Sequence, residues 1–356
     1  MKKFSSFLAL ALIFSLLAGC AGTPVIYNCT CPPSEGGSVE TPAPQAPAAE
    51  GALKTGLYLS AGIGDSKSAV GEETGEGKYD ITVTAVLVDD NGVIQACTID
   101  SIAASVKFDA TGAVVSDLAT PVLTKNELGA DYGMVAWGGA IAEWDEQAAA
   151  LASYAVGKTV EELRNGAVDE SGKAPEGSDL ASSATMYLGG YVSAIEAAVA
   201  NATHLGAQAG DELKLAVLAD TGDSKGATTE KAGTAQLNVD VTALTLKDGV
   251  ITSCTIDSVQ AKVAFDTTGT ITTDLTAPVL TKNELGEDYG MVAWGGAIAE
   301  WDAQAASFAA YVTGKTPAEV AGIAVDEKTA PTDADLTSSV TIAIGGFQAL
   351  IAKAAQ

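Results

Sequence analysis

Pro121-Val-Leu-Thr-Lys-Asn-Glu-Leu-Gly-Ala-Asp-Tyr-Gly-Met-Val-Ala-Trp-Gly-Gly-Ala-Ile-Ala-Glu-Trp-Asp145 is written a second time, 157 residues further on, as Pro278 to Asp302. Of these 25 positions only Ala130, which becomes Glu287, differs. The match extends outward on both sides. Upstream, Gly92-Val-Ile-Gln-Ala-Cys-Thr-Ile-Asp100 parallels Gly249-Val-Ile-Thr-Ser-Cys-Thr-Ile-Asp257. Downstream, Asp179-Leu-Ala-Ser-Ser-Ala-Thr185 parallels Asp335-Leu-Thr-Ser-Ser-Val-Thr341. A period this long is the size of a domain, so it marks tandem duplication and not a solenoid. The units are expected at 55–203 and 211–356, with His204, Gly206 and Gly210 in the joint between them.

Each unit reads as mixed α+β. Ile81, Val83, Ala85 and Leu87 alternate along one face of a strand. Asp90-Asn-Gly92 then turns the chain, as Lys247-Asp-Gly249 does in the second copy, and such turns join antiparallel strands. Two more strands are expected around Ser105–Phe108 and Ala113–Val115, split by a turn at Thr111-Gly112. Ile141, Trp144, Ala148, Leu151 and Ala155 fall at helical spacing, repeated by Ile298, Trp301, Ala305, Phe308 and Val312. Gly157 and Gly314 are expected stops. Thr159 with Glu162, and Thr316 with Glu319, form capping boxes for a second helix, with Pro317 in its first turn. A short strand after the Ser-Ser pair, then Gly-Gly and a last helix, closes each unit. Too few βαβ alternations occur for a doubly wound parallel sheet. The expected class is α+β: two tandem homologous domains, each an antiparallel sheet with packed helices.

Composition narrows the chemistry. The 356 residues carry 19 Lys+Arg against 45 Asp+Glu, a net charge of −26, which argues against nucleic acid. A single histidine excludes His-rich metal sites and most general-base triads. Neither a Walker loop nor Cys-x-x-Cys is present. Gly62-Ile-Gly64 before Asp65-Ser-Lys67 hints at a phosphate loop, but the second copy, Ala219 to Lys225, lacks the first glycine, and a surface turn fits better. Cys97 and Cys254 fall on equivalent strands and read as small buried hydrophobes.

The N-terminus reads as an address. Met1-Lys-Lys3, an eleven-residue apolar run from Phe7 to Leu17 and Leu17-Ala-Gly-Cys20 together resemble a lipoprotein signal ending in a lipobox. A secretory signal with a chance cysteine is the alternative. The expectation is a signal peptide over 1–19, a lipid anchor on Cys20, and a flexible Pro-, Ala-, Glu- and Gly-rich tether over 20–54. Without Lys2 and Lys3 the mature chain carries 17 − 45 = −28, so anionic headgroups would repel it and the lipid must do the anchoring. Cys29-Thr-Cys31 in the tether reads as two thiols without a role, a local disulfide or a weak metal clip. Leu12 to Gly19 also resembles the octapeptide pheromones processed from some lipoprotein signals.

Asp-Leu-x-Ser-Ser-(Ala/Val)-Thr resembles the flavinylation signal Asp-x-x-(Ser/Thr)-Gly-Ala-(Ser/Thr) of the FMN-binding domain family. In that family a flavin transferase takes FMN from FAD and esterifies its phosphate to the last hydroxyl. The resemblance implies FMN acceptors at Thr185 and Thr341, with Asp179 and Asp335 at the acidic start. Ser183 and Ser339 stand where the family has Gly, and Val340 where it has Ala. The layout of lipobox, tether and two such units is similar to flavinylated lipoproteins of extracellular electron transfer. It implies two covalent FMN groups and a carrier rather than an enzyme with a substrate pocket. Electrons would pass from a membrane NADH- or quinol-linked flavoprotein to extracellular acceptors such as ferric iron. The rival is a non-redox ligand-binding or surface-interaction lipoprotein.

The copied segment needs its own reading, because cores tolerate volume-conserving swaps and packing alone rarely demands such identity. A shared ligand or partner would demand it; recent gene conversion would also produce it. Trp144 and Trp301 lie on the apolar helix face and read as core. Tyr132, Met134 and Trp137, with Tyr289, Met291 and Trp294, sit in the Gly-rich loop and are the candidates to flank an isoalloxazine ring. Lys125 and Lys282 read as solvated lysines or as partners of an anionic reduced flavin.

Overall fold

The computed structural model describes residues 51–356. The expectations for the signal, Cys20, Cys29, Cys31 and most of the tether lie outside the described residues. The fold is mixed α+β, built on two three-stranded antiparallel sheets. The first holds β1 (Lys54–Gly62), β2 (Gly75–Val88) and β3 (Ile94–Phe108); the second holds β4 (Glu212–Asp220), β5 (Gly233–Lys247) and β6 (Val250–Phe265). Each is ordered as in the chain, β1-β2-β3 and β4-β5-β6.

Helices follow each sheet. The first repeat carries α1 (Lys125–Leu128), α2 (Met134–Gly138), α3 (Trp144–Ala155), α4 (Val160–Ala167) and α5 (Gly189–Ala200). The second carries α6 (Lys282–Leu285), α7 (Met291–Gly295), α8 (Trp301–Val312), α9 (Pro317–Ala321), α10 (Ala334–Thr337) and α11 (Gly345–Ala354). Among the described residues no helix is long and apolar enough to cross a membrane.

The two sheets pack face to face and the helices cover their outer faces. Tyr79, Ile81, Val83 and Ala85 of β2 share one core with Leu237, Val239, Val241 and Ala243 of β5. Phe108 and Phe265 stack across it with ring centroids 3.9 Å apart. On the other face of β2, Val86 and Val88 pack with Trp144, Leu151, Leu163 and Ile195. Leu244 of β5 meets Trp301, Phe308, Val320 and Leu350 in the same way. Burial on both faces gives the strands two apolar sides, each buried large side chain contributing about 1.5–3 kcal/mol.

Two reciprocal bonds join the repeats. Ala69 N–H donates to Gly269 O at 2.8 Å, and Ala227 N–H to Gly112 O at 2.7 Å. Gly112 and Gly269 have φ of 72° and 69°. A Cβ on Gly269 would lie 2.6 Å from Asp109 O, so this crossing admits only glycine.

The hairpins form where alternation and turns place them. Asp248 and Gly249 both have positive φ, as a two-residue hairpin turn requires. In the first copy the Asp89 carboxylate closes the turn by accepting from Asn91 N–H and Val93 N–H. The boxes at Thr159 with Glu162 and Thr316 with Glu319 are formed, and Pro317 opens α9. Gly157 and Gly314 follow α3 and α8 in the left-handed region.

Five expectations are corrected. The piece at Ser105–Phe108 is the end of a strand that begins at Ile94. Its middle, Ile99 to Ile102, is buried on both faces, which erases the alternation that marks a strand. Ala113–Val115 contributes only an isolated bridge, Phe108 to Val114, because the Asp109 carboxylate occupies the turn's amides. Ile141 and Ile298 precede their helices and are 56% exposed; Glu143 and Glu300 are the caps. The strand expected after each Ser-Ser pair is absent, since side chains of α3 and α8 take the amides a partner strand would need. Finally, order begins before residue 55: Leu53 is buried and its N–H donates to Ala207 O at 2.9 Å.

Candidate functional site

The Asp-Leu-x-Ser-Ser-x-Thr motif is a single tight turn with two faces. Leu180 and Ala184 point into the core, as do Leu336 and Val340. Asp179, Ser183 and Thr185 stay exposed. So do Asp335 and Thr341, with Ser339 half-buried. One buried side chain fixes the end of each turn. Gln147 on α3 is fully buried, and its Oε1 accepts from Thr185 N–H at 2.8 Å and Met186 N–H at 3.0 Å. Its Nε2 donates to Ala142 O at 2.8 Å. Gln304 does the same for Thr341 N–H at 2.8 Å and Ile342 N–H at 3.2 Å. It also accepts from the Thr341 hydroxyl at 3.2 Å. A free glutamine amide inside an apolar helix face would be costly, so the fit holds the turn in register.

Beside Thr185 opens a cleft of about 570 Å³. Tyr132, Met134, Lys125 and Trp144 form one wall; Tyr58, Ser60 and Thr82 of the sheet, with Met186, Tyr187 and Tyr191, complete it. Trp144 is both core and wall: it is 3% exposed, and its Nε1 donates to the Tyr191 hydroxyl at 3.1 Å.

Lys125 is buried, so the solvated reading of this lysine is overturned. It is 9% exposed, with Nζ 5.1 Å from the ring centroids of both Tyr132 and Trp144. Lys282 repeats this at 5.4 Å from Tyr289 and 4.7 Å from Trp301. Burial pulls the Lys282 ammonium below its usual range, opposed by the charges of Asp240 and Asp257. Among the described residues no carboxylate lies within 4.0 Å of either ammonium. Lys125, buried against two ring faces without an ion-pair partner among the described residues, would favour a negative charge beside it.

Trp137 and Trp294 stand apart from the cleft lining. They are 91% and 90% exposed, each at the end of a short helix entered through a left-handed glycine. The Glu143 carboxylate accepts from Met134 N–H at 2.8 Å and Val135 N–H at 3.1 Å. Glu300 repeats these bonds at 2.8 and 2.9 Å. The loop is therefore held from beneath while its indole stays in solvent.

Gln147, Gln304, Glu143 and Glu300 were not among the residues singled out by motif. The signal for Gln147 was present, because it sits three residues after Trp144 and four before Leu151, on the apolar phase of the helix. Burial pushes the Cys97 and Cys254 thiols up to about 12, so both are protonated thiols at neutral pH. Cys254 is buried and Cys97 half-buried. His204 in the joint meets Asp90 at 3.0 Å. Among the described residues no cluster of three or more metal-ligating side chains occurs. Compared with protein-family models, curated proteins and solved structures, the chain finds no match.

Proposed function

We propose that each repeat carries one FMN on its motif threonine, Thr185 or Thr341, and that the protein is an extracytoplasmic electron carrier tethered through lipid on Cys20. The observation that carries this reading is the pairing, in one place, of an exposed threonine on a pinned turn with an aromatic cleft holding an unpaired buried lysine. The cleft volume falls within the range of small-molecule sites. An FMN phosphate and ring system would find a hydroxyl, a cation and aromatic walls there. Gln147 fixes the acceptor turn, Lys125 and Lys282 would favour negative charge, and Tyr132, Met134, Tyr289 and Met291 would flank the group. When bound, flavin supplies the redox chemistry; the chain supplies attachment, exposure and electrostatics. Electrons would arrive from a membrane NADH- or quinol-linked flavoprotein and leave to acceptors such as ferric iron.

The exposed Trp137 and Trp294 favour a second reading, a surface-interaction lipoprotein without redox chemistry. Intact mass separates the two. Co-expressed with a flavin transferase, the protein is expected to gain two FMN groups, Thr185→Ala or Thr341→Ala to lose one each, and the double variant both. Unchanged flavin content in the double variant sinks the acceptor assignment; a colourless wild type favours the second reading.

A further inference from the structure

Aligned through Asp65-Ser-Lys67 and Asp223-Ser-Lys225, the repeats keep one wall of the cleft and change the other. Lys125, Tyr132, Met134 and Trp144 recur as Lys282, Tyr289, Met291 and Trp301. Across from them, Tyr58 becomes Ala216, Ser60 becomes Leu218, Thr82 becomes Asp240, Tyr187 becomes Ala343 and Tyr191 becomes Phe347. With Ser193, which becomes Ala349, this wall of the first cleft presents six hydroxyls where the equivalent positions of the second repeat carry apolar groups and one carboxylate.

We infer that Asp240 and the loss of these hydroxyls hold a flavin in the second repeat at a lower reduction potential than one in the first. The inference rests on the reading of both repeats as FMN sites. Asp240 is half-buried on β5, at the position whose counterpart Thr82 lines the first cleft. Its Oδ2 lies 3.5 Å from where a Cβ of Gly346 would stand, and Gly190, the counterpart of Gly346, is also a cleft residue. Its field reaches both Lys282 and Tyr289.

Reduction adds negative charge to a flavin. A fixed carboxylate nearby disfavours that charge and offsets the lysine meant to favour it. Hydroxyl donors, which stabilise an anion, are more numerous in the first cleft, where the Tyr132 hydroxyl alone recurs, as that of Tyr289. Both differences have the same sign. The first repeat does have a carboxylate whose field reaches Tyr132, Asp80, but it is exposed and does not line the cleft; its counterpart is Asn238. Water screens it more than Asp240.

Single-flavin proteins give the test. Thr341→Ala leaves the first site to report and Thr185→Ala the second, each read by spectroelectrochemical titration. The second site is expected to titrate lower. Asp240→Asn in the Thr185→Ala protein is expected to raise its potential by about 30 mV, a tenfold change in the two-electron equilibrium. Thr82→Asp in the Thr341→Ala protein is expected to lower the first, and Asp80→Asn to move it by less. Two coloured proteins of equal potential, or an Asp240→Asn protein that does not shift, overturn this inference alone. Proteins without covalent flavin overturn the FMN reading, and this inference with it.

Discussion

The two repeats agree where backbone is pinned and differ at the positions that line the cleft of the first. Glu143 and Glu300 accept the same two amides of the copied loop, and Gln147 and Gln304 the same two amides of the motif turn. The opposite wall, from β1, β2 and α5, has been rebuilt almost completely in β4, β5 and α11. The difference teaches that one frame can hold a turn at a constant place while the side chains around it change. The exposed indoles complicate that account. Packing places no demand on Trp137 or Trp294, yet both are kept, which is what a shared partner would require.

The comparison presumes that the repeats stand or fall together, and the largest expected effect tests this. Phe108 and Phe265 belong one to each repeat and stack in the shared core at 3.9 Å, both fully buried. Phe108→Ala is expected to destabilise the protein by about 3–5 kcal/mol, with Phe265→Ala similar. The double variant should lose less than the sum, since either change empties the same contact. Urea unfolding should remain a single transition in all three. A second repeat that melts separately in Phe108→Ala would mean that the repeats are independent bodies.

Much of this architecture was legible, and the illegible parts have physical causes. The alternation from Ile81 to Leu87 and the turn at Lys247-Asp-Gly249 were enough to find the hairpins, because a strand with one fully apolar face and a turn needing positive φ leave plain marks. The capping boxes were equally plain. Double-sided burial concealed the length of β3. The expected closing strand failed because its amides bond to a distant glutamine, and no local pattern encodes a partner 38 residues away. For the site, the motif gave the exposed threonines, and the copied segment gave Tyr132 and Met134. The rest of the cleft could not be read in this way. Lys125 reads from the sequence either as a solvated lysine or as a flavin partner, and only the fold, in which α1 turns it under Tyr132 and against Trp144, shows it buried.

A middle-sized effect should appear in pH dependence and separate the repeats again. Asp257 on β6 accepts from Ser258 N–H and Asn283 N–H, and burial pushes its carboxyl from 3.8 up to about 6. Asp100 is raised for the same reason in the first repeat. A carboxyl whose folded value lies above its unfolded one binds its proton more tightly when folded. Its contribution is therefore full below about pH 4 and is lost as pH rises through about 6. Asp257→Asn keeps an acceptor oxygen and removes that loss. Relative to wild type, the variant should gain up to about 3 kcal/mol between pH 4 and pH 7.5. Urea midpoints across that range measure the gap, with Asp100→Asn alongside. A gap that stays flat with pH would show that Asp257 titrates normally.

The smallest effect concerns Tyr79, which faces the shared core where the second repeat has Leu237. The tyrosine is fully buried, and its hydroxyl has no hydrogen-bond partner among the described residues. Burial pushes the phenol well above its ordinary range, so the group is a neutral, unsatisfied donor in an apolar layer. Its oxygen lies where a Cβ on Gly77 would approach within 2.8 Å, so glycine makes the room that the hydroxyl occupies. An orphaned buried hydroxyl costs about 1–3 kcal/mol, while deleting it leaves a void smaller than a water molecule. Tyr79→Phe is therefore expected to stabilise the protein by about 1 kcal/mol, raising the urea midpoint without changing the slope. The reciprocal change, Leu237→Tyr, should destabilise, because it inserts a ring and a second orphan into a filled layer. If Tyr79→Phe instead lowers the midpoint, the hydroxyl has a partner, such as a bound water, and the two repeats differ in polarity at their shared core as well as in their clefts.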